Sequence, residues 1–130
     1  MHNSHFHAVI WIDHHEARIF HFDRKSVETE ALTPDNKMHV HHKANTVGSG
    51  HDTLDQNFLH DVILAVAEAH SILIIGPGNA KTELLKHIEH HDPLLREKIR
   101  AVETVDHPSD PEIVAYGRKF FKASDPMQLQ

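Results

Sequence analysis

Apolar positions along the chain fall into five short runs and three longer periodic segments. The run Ala8-Val9-Ile10-Trp11-Ile12 ends at Asp13 without an earlier polar residue, the pattern of a strand buried on both faces. Residues 17–23 alternate, with Arg18, Phe20 and Phe22 set against Ala17, Ile19 and His21. Only His14, His15 and Glu16 separate these two runs, so they pair as a hairpin. A third strand over 26–32 carries a weaker signal, because Val27, Ala31 and Leu32 alternate poorly. Thr33-Pro34-Asp35-Asn36 reads as a turn.

A helix is predicted over 54–69. Leu54, Phe58, Val62 and Val66 share one face, widened by Leu59, Ile63 and Ala67, and Asp52 or Thr53 can cap it. Ser71-Ile72-Leu73-Ile74-Ile75 is a second doubly buried strand, closed by Gly76-Pro77-Gly78. The next helix, 79–91, starts at Asn79 as a possible cap and buries Ala80, Leu84, Leu85 and Ile88. Its last turn carries His87, His90 and His91, where positive charge suits the helix dipole, and Asp92-Pro93 stops it. A short helical turn at 94–98 leads to a strand over 99–105. Ser109-Asp110-Pro111-Glu112 is a helix-start signature. The final helix runs to about residue 122 and buries Ile113, Val114, Gly117 and Phe120 or Phe121, with a polar tail from about residue 123. The order βββαβαβα implies an α/β protein with a mixed sheet and helices on both faces, the three-layer order of the ribonuclease H-like architecture.

Composition narrows the function classes. At 130 residues the chain is expected to form one domain. With no cysteine it has no disulfide, thiolate metal site or thiol nucleophile, which suits a cytoplasmic setting. Its first residues lack the basic-then-apolar order of a signal peptide, and no apolar run approaches the roughly 20 residues of a membrane span. The formal charge of −6 argues against a strongly basic nucleic-acid platform. Yet 16 histidines outnumber the 13 Lys and Arg together, so surface charge depends steeply on pH near neutrality.

Candidate chemistry lies at three places. Gly76, Gly78, Asn79 and Lys81 form a strand-to-helix turn where a helix N-terminus favours anions. The nucleotide-binding Gly-x-x-x-x-Gly-Lys-Ser/Thr is missing, and tight turn geometry explains the same glycines. Asp13 at the end of the first strand, with Asp52, Asp55, Asp61 or Asp106, offers acids for a metal-dependent nuclease or hydrolase, while an acidic turn cap is the plainer role. Histidine pairs such as His87 with His90 or His91, and His39 with His41, have chelate spacing. Neither completes a structural zinc signature, so solvated histidines are the expectation and no metal or cofactor is assigned. Ser49 among histidines lacks a nucleophile elbow.

Several strings resemble a known group. Trp11-Ile12-Asp13, a glycine-containing loop before the first long helix, and Ile74-Ile75-Gly76-Pro77-Gly78-Asn79-Ala80-Lys81 look like the middle domain of archaeo-eukaryotic class 1 release factors and Pelota. More closely, the chain resembles small stand-alone bacterial proteins described as translational machinery proteins. The telling strings are His41-His42-Lys43, Gly48-Ser49-Gly50-His51 and Val102-Glu103-Thr104-Val105-Asp106-His107-Pro108. In release factors the loop before the helix carries Gly-Gly-Gln, which promotes peptidyl-tRNA hydrolysis; here the comparable loop reads Gly48-Ser49-Gly50-His51, without glutamine. The resemblance therefore implies a ribosome- or RNA-associated protein without release activity and with no catalytic residues. Its contact residues would be His41, His42, Lys43, Gly48, Ser49, Gly50 and His51.

Overall fold

The structure, a computed structural model, describes residues 7–23, 25–34 and 54–124. The apolar runs form β1 (His7–Ile12), β2 (Ala17–Phe22), β3 (Val27–Leu32), β4 (Ser71–Gly76) and β5 (Ile99–Thr104). Between and after them lie the helices α1 (Gln56–Ala65), α2 (Ala80–His91), α3 (Pro93–Arg96) and α4 (Asp110–Ser124). One five-stranded sheet has the order β3-β2-β1-β4-β5. The β3, β2 and β1 strands make an antiparallel meander, and β4 and β5 continue it in parallel from β1. The doubly buried runs β1 and β4 lie side by side in the centre, whereas β3 is an edge strand whose residues are mostly exposed.

Side-chain alternation along β1 divides the core into two layers. Ala8, Ile10 and Ile12 join Ile72 and Ile74 beneath α1 and α2, through Phe58, Leu59, Val62, Leu84 and Ile88. Val9 and Trp11 join Phe20, Phe22, Leu73 and Ile75 on the opposite face, which Ile113 and Phe121 of α4 cover. The sheet is thus enclosed by helices on both faces, which is why its central strands are apolar throughout.

Several boundaries differ by a residue or two from the sequence expectation, and those of α1 differ most. Helix α1 is shorter at both ends than 54–69: Asp55, in extended conformation, caps it by accepting from the Asn57 N–H, in place of Asp52 or Thr53. Its C-terminal side ends at Val66, although Val66 and Ala69 stay buried beyond it. Asn79 stands at the N-cap position of α2 without a side-chain capping bond. By contrast, the capping box before α4 forms as written. Ser109 N–H donates to Glu112 Oε1 at 2.8 Å, and Glu112 N–H donates to Ser109 Oγ at 3.3 Å.

Candidate functional site at the carboxyl edge of the sheet

Strands β1, β4 and β5 all end at the same edge of the sheet, where open α/β folds place ligands. At the end of β1, Asp13 Oδ1 accepts the backbone N–H groups of His15 at 2.7 Å and Glu16 at 2.9 Å, fixing the hairpin turn. Its other oxygen lies 3.7 Å from His107 Nε2, while His107 Nδ1 meets Asp106 Oδ1 at 3.0 Å. The His107 ring also leans on Trp11, with centroids 5.2 Å apart. Trp11 is held by its own Nε1–H, which donates to the Asp106 carbonyl at 2.9 Å, and by the Arg18 guanidinium 4.5 Å from its ring centroid. Arg18 in turn donates to Asp110 Oδ1 at 2.7 Å, tying β2 to the start of α4.

Beside this cluster lies a cleft of about 480 Å³. Ile75, Val105 and Ile113 give it apolar wall, and Asp106, His107, Glu112 and Tyr116 give it polar groups. The Tyr116 hydroxyl donates to Glu103. Burial, and then the bond to that carboxylate, push the phenol up to about 12.

The Gly-Pro-Gly turn is built mainly by packing. A Cβ on Gly76 would overlap the carbonyl oxygen of Ile12, so glycine is required where β4 passes the end of β1, whereas Gly78 faces open space. Lys81 is buried, and its Nζ donates to the Gly78 carbonyl at 2.5 Å. Its ammonium therefore closes the turn on itself, a local bond that apolar periodicity does not reveal. The adjacent Glu83 joins three elements: Oε1 accepts the Leu54 N–H at 3.1 Å and Oε2 lies 3.5 Å from His14 Nε2.

Farther along α2, His87 is buried. Its Nδ1 meets Gln56 Oε1 in the first turn of α1 at 2.7 Å, and its ring lies tilted against that of His91, centroids 4.2 Å apart. Burial, followed by the positive charge available to His91, His60 and His90, holds His87 below the ordinary histidine pKa. The sequence marks this helix end as histidine-rich but not as the contact that joins α1 to α2.

Of the acids proposed for a nuclease, Asp13 caps a turn and Asp55 caps α1. Among the described residues, no group of three or more His, Asp or Glu side chains is arranged to hold a metal ion. His41, His42, Lys43, Gly48, Ser49, Gly50, His51 and Asp52 lie outside the described residues, as does the tail beyond Ser124. The described chain resumes at Leu54, beside Glu83 and so at this same carboxyl edge.

No protein-family description and no curated protein sequence matches the chain. Solved structures do. Pelota from Archaeoglobus fulgidus superposes with a TM-score of 0.61 over 88% of this chain, at 14% identity. Pelota from Thermoplasma acidophilum gives 0.59 over 95% at 13% identity, and an archaeal translation termination factor gives 0.53 over 83% at 14% identity. The chain shares its fold with a domain of these proteins. It spans about a third of their length, between 31% and 34%. No helix among the described residues is long and apolar enough to cross a membrane.

Proposed function

We propose that this chain is a translation-associated module of ribonuclease H-like fold that binds the ribosome or its RNA in the cytoplasm and does not release peptides. The observation that carries this reading is the fold likeness to Pelota over most of the chain. The strand order 3-2-1-4-5 with helices on both faces supports the ribonuclease H-like assignment. The absence of Gly-Gly-Gln from Gly48-Ser49-Gly50-His51 separates the chain from a working release factor.

The contact surface is the segment His41-His42-Lys43 through His51, which joins the scaffold at Leu54. Protonated histidines there would add phosphate contacts, and such contacts weaken steeply with salt. Ribosome co-sedimentation tests this. Binding should rise as pH falls from about 7.5 to about 6 and fall as salt is added. Replacing His41, His42 and Lys43 together by alanine should weaken it. Replacing the exposed pair His60 and His70 should not. Equal binding by all three proteins, flat with pH, would remove this segment as the contact surface. Release of formyl-methionine from loaded ribosomes above the no-factor background would overturn the non-releasing reading.

A further inference from the structure

We propose that His87 and His91 form a two-point chelate for a borderline transition-metal dication such as nickel, copper(II) or zinc, beside the first turn of α1. A metal-ligating imidazole must present an unprotonated ring nitrogen, and its other nitrogen is normally held by a carbonyl or carboxylate. His87 has that arrangement. Its Nδ1 faces Gln56 Oε1 at 2.7 Å, an oxygen that can only accept, so Nδ1 carries the hydrogen and Nε2 keeps its lone pair. His90 is held the same way, with Nδ1 2.9 Å from the Lys86 carbonyl.

His91 lies one helical turn beyond His87, and the two rings are 4.2 Å apart, inclined at 34°. That spacing on α2 is the one at which two side chains meet on a helix face. Both rings border a cleft of about 220 Å³ that Gln56, Leu59, Glu83, Lys86 and His90 also line, room for an ion with coordinated water. The Glu83 carboxylate is engaged by Leu54 N–H and His14, so the ligands offered are imidazoles. No third side chain is in place among the described residues, so water completes the shell. Such a site binds more weakly than a structural zinc site and prefers imidazole-favouring ions to magnesium or calcium. Because His87 is also bonded to Gln56, a bound ion braces α1 against α2.

This inference stands apart from ribosome binding and is tested on the isolated full chain. With 16 histidines present, bulk metal uptake says little, so the readout must be local. Two-dimensional amide NMR at about pH 7.5, where imidazoles are neutral, is followed while paramagnetic Ni²⁺ is added to one equivalent. Amides of 84–91 and of Gln56 should broaden. The exposed substitution His91→Ala should abolish that broadening while the rest of the spectrum keeps its native dispersion, and Mg²⁺ should broaden nothing. Sharp 84–91 amides at one equivalent, or unchanged broadening in His91→Ala, would overturn the proposal.

Discussion

Two glycines of one turn should respond in opposite directions to the same substitution. In Gly76→Ala the new methyl would overlap the Ile12 carbonyl oxygen, far inside the 3.0 Å that real Cβ contacts respect. Neither partner can move freely. Ile12 and Ile75 are fully buried, and Gly76 itself pairs with Thr104 and accepts the Val105 N–H at 3.0 Å. Overpacking a well-filled core costs about 1–3 kcal/mol, and a collision with backbone belongs at the upper end. Gly78→Ala meets nothing within 4 Å, and the Gly78 backbone is outside the left-handed region. Restricting the unfolded chain there should stabilise by about 0.4–1 kcal/mol. At about 3–5 °C per kcal/mol for a domain of this size, Gly76→Ala should melt about 10 °C below wild type and Gly78→Ala a few degrees above it. Thermal and urea unfolding measure both, with an unchanged urea slope confirming that stability alone has moved. Variants within about 0.5 kcal/mol of each other, or a costlier Gly78→Ala, would refute the close approach of Gly76 to Ile12.

Other outcomes follow from buried and titrating groups. Ile74→Asp places an unpaired charge between β1 and the α1–α2 layer and should cost several kcal/mol; a wild-type urea midpoint would contradict the central position of β4. The His87 pKa is lowered on folding from 6.5, so the unfolded chain binds more protons in the window just below 6.5. Its contribution to stability is complete above 6.5 and lost as pH falls from there toward the lower folded value. The stability difference between about pH 7.5 and about pH 5.5 should therefore shrink in His87→Gln, and an identical pH slope would refute the assignment. The single tyrosine, Tyr116, should titrate at about 12 by its phenolate absorbance and move down toward 10.0 in Glu103→Gln; a wild-type value near 10.0 would contradict the Tyr116–Glu103 hydrogen bond.

What could be read from the residues was whatever neighbours in sequence decide. β1 and β4 declare themselves because burial on both faces leaves no polar position between Ala8 and Ile12 or between Ile72 and Ile75. The Ser109–Glu112 capping box is legible because its partners are three residues apart. Periodicity overstates the length of α1 because it reports burial, and Val66 and Ala69 remain buried after the helical hydrogen bonds have stopped. Where apolar pattern is silent, the tertiary structure decided. It buried Lys81 against the Gly78 carbonyl and His87 against Gln56, two polar side chains on a helix whose apolar positions Ala80, Leu84 and Ile88 are legible in the sequence. It also set the purpose of Gly76, which depends on how closely β4 passes Ile12. Finally it assembled the Trp11, Arg18, Asp106 and His107 cluster. The Trp11 N–H finds its acceptor 95 residues away, and no local propensity encodes a hydrogen bond that forms only when β1 and the end of β5 reach the same edge of one sheet.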